Sequence, residues 1–260
     1  MKDLFRSFAR ARPAQTRRVI DWDVTVVSRA FASGQFKDWH SLSDRELTLK
    51  TVFLVALASG KRVSELHALS KEVKWTSDNG KLGALLSLLV SFVSKTHLSS
   101  SGVGAFKPFT IPALDSLVDS RGSPDLLPCP VRCLKYYVAR TEKYRKPSQS
   151  ILFISFQRRM AKDLAKSSIA SYVKQAIIMA YELTSASRPL SNLVVQPHSV
   201  RHVAASLAAL RCSSLEELLS AGCWTTPDVF LAYYATNFST DSITNLSRLG
   251  GIVAAQTVVA

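Results

Sequence analysis

One apolar run constrains the fold of this chain more than any other feature. The residues from Leu47 to Ala58 (LTLKTVFLVALA) are apolar on most faces of a helix, which indicates a helix that is buried on most sides. A capping-box pattern, Ser43 followed by Glu46, predicts where this helix begins, and the Ser59-Gly60 pair predicts where it ends. The other segments are therefore expected to pack around it.

These other segments predict a mainly α fold with a small three-stranded antiparallel sheet. The predicted helices cover Trp22–Phe36, a segment that begins at Lys61, Cys129–Thr141, Ser167–Leu183, a segment that begins at Pro197, and two short segments after Ser213 and Thr226. The predicted strands cover Val73–Trp75, Ala84–Val93 and Phe106–Ile111, with turns at Asp78-Asn79-Gly80 and Ser99–Gly102 between them, and Ile151–Ile154 is expected to be a short strand or extended piece.

The charge of the chain indicates a polyanionic partner. The 260 residues carry a formal net charge of +14 with a pI near 9.9, a balance that favours nucleic acid or an anionic membrane surface. No apolar run reaches the roughly 18 residues of a membrane-spanning helix, and the Arg-rich N-terminus does not have the pattern of a signal peptide. The four cysteines do not form a disulfide framework or a zinc-ligand pattern, so we expect them to pack as small apolar residues.

A series of polar residues near the C-terminus predicts a phosphate site. Pro197 fits the first position of a helix, which would place His198 and Arg201 on one face of its opening turns. The guanidinium of Arg201 offers a rigid fork of donors that matches a phosphate, and a helix start favours an anion. An indole at Trp224 and a phenol about ten residues later suggest a tyrosine nucleophile aimed at phosphorus.

This series resembles the motifs of the tyrosine recombinases, in which His-x-x-Arg is followed by His or Trp and then Tyr. The run Gly60-Lys61-Arg62-Val63-Ser64-Glu65-Leu66 resembles the box that supplies the first catalytic arginine of that family. Several runs look closest to the integrases of DIRS-type retrotransposons. They are Leu47–Leu54, Gly60–Leu66, Cys129–Arg132 and Trp224–Tyr234. The resemblance implies a recombinase catalytic domain over residues 42–239, preceded by a basic arm and helical remnant (1–41) and followed by a tail (240–260).

The resemblance also implies a role for each candidate residue. Arg62 and Arg201 would neutralise the non-bridging phosphate oxygens, and His198 would orient the phosphate and handle the tyrosine proton. Trp224 would donate its indole N–H, and Lys95 would protonate the leaving 5′ oxygen. The supporting residues would be Glu65 and His202, and the DNA-contacting residues would be Lys61, Lys107, Arg17 and Arg18. From the residues alone, Arg62 and Glu65 also fit an ordinary surface ion pair, and the basic arm is equally a solvated tail.

The nucleophile is ambiguous between two adjacent tyrosines. A spacing of nine residues after Trp224 selects Tyr233, whereas the Phe-x-x-x-Tyr pattern of the retrotransposon branch selects Tyr234 through Phe230. Adjacent helical residues point about 100° apart, so only one of them can face the phosphate. The branch resemblance favours Tyr234.

The resemblance implies double-stranded DNA as the partner, a tetramer on DNA, and no metal, cofactor, membrane or small-molecule substrate. It implies a nuclear location in a eukaryote and a cytoplasmic one otherwise. Only about 40 residues precede Leu47, where the family normally has a helical core-binding domain, so we expect either a fragment or a chain that has lost this clamp. Two alternatives stay open, a non-catalytic DNA-binding remnant of a mobile element and a type IB topoisomerase-like activity.

Overall fold

Helix α2 (Asp44–Ser59) is the centre of the fold, as the sequence predicts. In the computed structural model, which describes residues 22–78, 81–93, 108–114, 128–157, 160–184 and 193–209, every residue from Leu47 to Ser59 is buried. The predicted capping box is present, since Ser43 and Glu46 each accept a hydrogen bond from the other's backbone N–H. Gly60 ends the helix with a φ of 58°, a left-handed conformation that glycine adopts without a steric cost.

The described helices pack around α2. They are α1 (Val24–Ala32), α3 (Val63–His67), α4 (Pro130–Thr141), α5 (Lys166–Thr184) and α6 (Ser199–Ala209), with short 3-10 helices at Gly34–Phe36 and Glu142–Tyr144. Helices α4, α5 and α6 contact α2 directly, while α1 packs on α5 and α3 also contacts α5. Because α1 places Val27 and Phe31 in the same core as α2, the described part of the N-terminal region belongs to this core. Among the described residues, no helix is long and apolar enough to cross a lipid bilayer.

The three-stranded antiparallel sheet is present in the order β1-β2-β3, with β1 at Lys74–Asp78, β2 at Lys81–Leu86 and β3 at Phe109–Pro112. Gly83 lies in its central strand, opposite Thr76 of β1 and Pro112 of β3. A Cβ atom at Gly83 would lie 2.5 Å from Oγ1 of Thr76, so the strand pairing depends on glycine there. A separate hairpin, β4 (Ile154–Gln157) with β5 (Met160–Asp163), was not predicted as a pair.

The second strand is shorter than predicted. β2 ends at Leu86, so the prediction of a strand over Ala84–Val93 is wrong for the residues after Leu86. Val90 is fully exposed at 101% and Val93 is 63% exposed. Beyond the strand, Leu88 forms an isolated bridge with Leu69, and the chain then turns at residues 90 and 91. The predicted turn at Ser99–Gly102 lies outside the described residues.

Three buried hydroxyl groups of α2 find hydrogen-bond partners within the helix itself. The hydroxyls of Thr48, Thr51 and Ser59 each donate to the carbonyl four residues earlier in α2, which removes the cost of burying them. Cys129 and Cys133 are buried in the core as thiols, as predicted, and burial raises the pKa of the Cys133 thiol to about 12. The predictions for the other two cysteines and for the helices after Ser213 lie outside the described residues.

Candidate active site

Arg62 and Arg201 meet at one carboxylate. Nη1 of Arg62 lies 3.0 Å from Oε1 of Glu65, and Nη1 of Arg201 lies 3.9 Å from Oε2 of the same residue. The side chain of Glu65 is only 3% exposed, so this is not the ordinary surface ion pair that the sequence alone allowed. The fold thereby brings together the arginines of the two quoted motifs, which are far apart in the sequence.

Local backbone structure fixes the position of Arg62. It was expected within the helix that begins at Lys61, but the helix α3 begins at Val63 and Arg62 is the extended residue before it. The cause is Glu65, whose Oε2 accepts the Arg62 backbone N–H at 2.7 Å and so satisfies a helix-start donor. The same carboxylate therefore holds both the backbone and the side chain of Arg62. The Arg62 side chain remains 31% exposed, which leaves it accessible to a ligand.

Arg201 is held more deeply. Its side chain is 3% exposed, and its Nη1 donates a hydrogen bond to the carbonyl of Gly60, a residue 141 positions earlier. Gly60 can present this carbonyl because its left-handed conformation turns the chain sharply at the end of α2. This contact was missed from the sequence. The Ser59-Gly60 break was visible there, but the partner of the Gly60 carbonyl was not.

The start of α6 differs by two residues from the prediction. Pro197 and His198 form a turn, and the helix begins at Ser199, so Pro197 is not its first residue. The carbonyl of His198 accepts the backbone N–H groups of Arg201 and His202, which places His198 at the cap position with its side chain exposed. His202, the predicted supporting residue, is half-buried on the first turn.

The N-terminal segment anchors this helix start. Nε1 of Trp22 donates to Oγ of Ser199 at 2.7 Å, and the Asp23 backbone N–H donates to the Tyr181 hydroxyl at 2.6 Å. Trp22 is buried against Phe53 of α2 with ring centroids 6.1 Å apart. The segment before α1 therefore fixes the position of the helix that carries Arg201, a role that the sequence did not indicate.

Lys61 points into the protein. It is 8% exposed, and its Nζ lies 4.7 Å from the ring centroid of Phe109 on β3, a favourable cation–π distance. The structure therefore places this predicted DNA-contacting residue between α2 and the sheet. Among the described residues around Glu65, three are cationic, namely Lys61, Arg62 and Arg201.

The remaining candidates lie outside the described residues. They are Lys95, Lys107, Trp224, Tyr233, Tyr234, Arg17 and Arg18. Among the described residues, no group of three or more His, Cys, Asp or Glu side chains could hold a metal ion. The arrangement that is described is an arginine pair oriented by a buried carboxylate, which can bind a phosphate through the exposed edge of Arg62.

No family model matches the chain, and no curated protein matches it in sequence.

Proposed function

We propose that this protein cuts and rejoins DNA strands through a 3′-phosphotyrosyl intermediate, in the recombination or integration of a mobile element. The observation that carries the proposal is the convergence of Arg62 and Arg201 on Glu65. Two guanidiniums that share one buried carboxylate leave a net positive charge, and the partly exposed side chain of Arg62 presents that charge to a ligand. This is the charge that a phosphodiester needs as its negative charge builds in the transition state.

The proposed chemistry assigns a path to each proton and bond. The tyrosine oxygen attacks the phosphorus, a new P–O bond forms, and the bond to the 5′ oxygen breaks. His198, whose side chain is exposed beside the Arg201 turn, receives the phenolic proton directly or through water. Lys95 gives a proton to the departing 5′ oxygen, and a second 5′ hydroxyl reverses the steps on a new strand. Tyr234 is the proposed nucleophile.

The electrostatics of the chain support DNA as the substrate. A net charge of +14 attracts a polyanion over a range set by the salt concentration. Phosphate contacts release counterions, so log K should fall with log salt at a slope of about −0.9 for each contact. The Arg62→Gln variant should reduce that slope by about one, whereas Lys174→Gln, a change at an exposed position on α5, should leave it unchanged.

One observation favours a second candidate, a non-catalytic DNA-binding remnant. The Arg201 side chain is 3% exposed, and its Nη1 already donates to the Gly60 carbonyl. An arginine held in this way fixes α2 to α6 and need not touch a phosphate. In that case Arg62 would contact DNA without a catalytic partner.

A covalent-trapping experiment separates the two candidates. The protein is mixed with a pool of nicked, partly randomised duplexes, and an adduct that resists SDS is sought. Nicked DNA releases the short 5′ fragment, which traps the intermediate. The proposal expects an adduct that is lost in Tyr234→Phe and kept in Tyr233→Phe, and one whose yield falls on the order of 100-fold in Arg62→Ala.

Other outcomes have definite meanings. An adduct lost in Tyr233→Phe alone would keep the reaction and reassign the nucleophile. Salt-sensitive DNA binding without any adduct would favour the non-catalytic remnant. Relaxation of supercoiled DNA by a protein that never exchanges strands would identify a topoisomerase-like activity.

A further inference from the structure

A small cavity borders Lys50, a residue in the middle of α2. Lys50 lies nine residues before Ser59, the last residue of α2, which corresponds to about 14 Å along the helix at 1.5 Å per residue. The cavity is therefore separate from the arginine pair. The cavity has a volume of about 90 Å³, enough for several water molecules. Its lining residues are Phe31, Ala32, Lys37, Trp39, Lys50, Pro128 and Arg132, so three of them are cationic and none of these described residues is acidic.

Lys50 is an unusual residue to bury in a core helix. It is 1% exposed, and its Nζ donates to the carbonyls of Phe31 and Phe36 while lying 4.2 Å from the ring centroid of Trp39. These two hydrogen bonds use two of the three donors of an ammonium group. Burial lowers the pKa of Lys50, and the nearby charge of Arg132 lowers it further.

The described residues provide no carboxylate partner for this ammonium. Two ionisable residues of α4, Cys133 and Arg132, lie near Lys50. Burial raises the pKa of the Cys133 thiol to about 12, so at neutral pH it carries no charge, and Arg132 is itself a cation. Burying the charged form of Lys50 without a counterion is costly, and this cost is what lowers its pKa. An anion in the cavity would remove that cost and would also contact the exposed side chains of Lys37 and Arg132.

A wider groove adjoins the cavity. It measures about 360 Å³, and it shares Trp39 and Arg132 with the smaller cavity. Its other lining residues are His40, Lys135, Tyr136 and Ala139. The Tyr136 hydroxyl is hydrogen-bonded to Nδ1 of His40 at 3.1 Å, and the two rings meet edge to face, so this aromatic wall is held in place. Aromatic surfaces beside cationic side chains are the combination that binds a nucleobase next to its phosphate.

We propose that these two adjoining spaces form a nucleotide-binding site, in which Lys50, Lys37 and Arg132 bind a phosphate group and the groove beside Tyr136 and Trp39 accepts the base. The phosphate fits the small cavity, whose lining is cationic, and the base fits the groove, whose volume lies in the range of small-molecule pockets. The site is separate from the arginine pair and does not depend on strand cleavage. The nucleotide is either free or the 5′-phosphorylated end of a DNA strand, since the two share this chemistry.

The test is calorimetric titration of the full chain with inorganic phosphate, deoxyadenosine, and deoxyadenosine 5′-monophosphate at constant ionic strength. The monophosphate should bind at least about tenfold more tightly than either part, because both spaces are then filled. The Lys37→Gln/Arg132→Gln double variant, which changes only exposed positions, should weaken the monophosphate at least about tenfold. The matched control Lys174→Gln, also at an exposed position, should leave its affinity unchanged.

Two further measurements test for misfolding and distinguish a free nucleotide from a DNA strand end. Tyr136→Ala should weaken the monophosphate and leave inorganic phosphate unaffected, a split that a general loss of structure would not produce. A short single strand with a 5′ phosphate should compete with the monophosphate if the natural occupant is a strand end, whereas the same strand without that phosphate should not. Both sources support the site.

Several results would overturn it. Deoxyadenosine binding as tightly as its monophosphate would remove the role of the cationic cavity. Affinity that is lost in Arg62→Ala but kept in the Lys37→Gln/Arg132→Gln variant would move the phosphate to the arginine pair. No heat and no rise in the unfolding midpoint with any of the three ligands would mean that the cavity binds none of them.

Discussion

Replacing Glu65 with glutamine should have opposite effects on the stability of the fold and on the affinity of the arginine pair for anions. The change keeps the size of the side chain but removes the negative charge that Arg62 and Arg201 share. One carboxylate oxygen becomes an NH₂ group. The two carboxylate oxygens accept from the Arg62 backbone N–H at 2.7 Å and from Arg62 Nη1 at 3.0 Å. Wherever the NH₂ group lies, it faces one of these donors, so at least one of the two hydrogen bonds is lost.

The size of the loss follows from these contacts. A hydrogen bond to a charged group contributes about 1.5–3 kcal/mol, and breaking a buried ion pair costs about 3–5 kcal/mol. Since Arg62 is partly exposed and water can solvate its guanidinium, we expect the lower end, about 3 kcal/mol. For a chain of this size each kcal/mol shifts the unfolding midpoint by about 2–4 °C, so the midpoint should fall by about 6–12 °C.

The same variant should bind anions more tightly. Without the carboxylate, the guanidiniums lose the negative charge that competes with a bound phosphate. Removing one unit charge within about 4 Å should make phosphate binding more favourable by more than 1.4 kcal/mol, which equals a change of more than tenfold in affinity. Inorganic phosphate should therefore raise the unfolding midpoint of Glu65→Gln more than that of the unaltered protein. Binding at the Lys50 cavity is common to both proteins and cancels in the comparison.

The assay is thermal unfolding by circular dichroism with and without phosphate. Glu182→Gln, which removes an exposed carboxylate on α5, is the matched control and should change neither the midpoint nor the phosphate response. A Glu65→Gln protein as stable as the original would refute the role of the carboxylate in holding Arg62. An unchanged phosphate response would refute the assignment of the arginine pair as an anion site.

Two further predictions concern the sheet and the core. Gly83→Ala should destabilise the protein by about 1–3 kcal/mol in urea unfolding, because the new methyl group would lie 2.5 Å from Oγ1 of Thr76. Adding Thr76→Ala should recover part of this loss. A Gly83→Ala protein of unchanged stability would contradict the close pairing of the strands. Burial raises the pKa of Cys133 from 9.0 to about 12 and that of Tyr137 from 10.0 to about 12, so their stability contributions are complete below pH 9 and pH 10 and are lost as the pH rises towards 12. At pH 10.5 the Cys133 share of the loss should be about 2 kcal/mol. The free energy of unfolding in urea should therefore fall by about that much less between pH 8 and pH 10.5 in Cys133→Ala than in the unaltered protein; equal pH profiles for the two proteins would contradict it.

Local signals predicted the helices with well-defined ends. Helix α4 begins at Pro130 and ends at Thr141 because proline at the first position and the apolar face act over a few residues. Each end of helix α5 lies within one residue of its predicted range because its apolar residues recur with the helical period. Strand β2 was predicted too long because a continuous apolar run has no period that marks its end.

The contacts that build the arginine site join residues that are far apart in the sequence, so local sequence patterns do not predict them. Glu65 at the third position of α3 was a readable start signal, but its burial depends on α6. In the sequence Lys50 is one position of an apolar run, and nothing local marks its partners, since the carbonyls that accept its hydrogen bonds belong to residues 19 and 14 positions earlier. A lysine can be buried only where carbonyls such as those of Phe31 and Phe36 accept its hydrogen bonds, and the fold alone places them there.

The hydrogen bond between Arg201 and the Gly60 carbonyl also sets the time at which the site can exist during synthesis. It joins residues 141 positions apart, and a ribosome adds about 5–20 residues each second. Arg201 therefore leaves the peptidyl-transferase centre about 7–28 s after Gly60. A chain that is released before Arg201 would carry Arg62 and Glu65 without their partner, so an interrupted synthesis yields a protein that lacks the arginine pair.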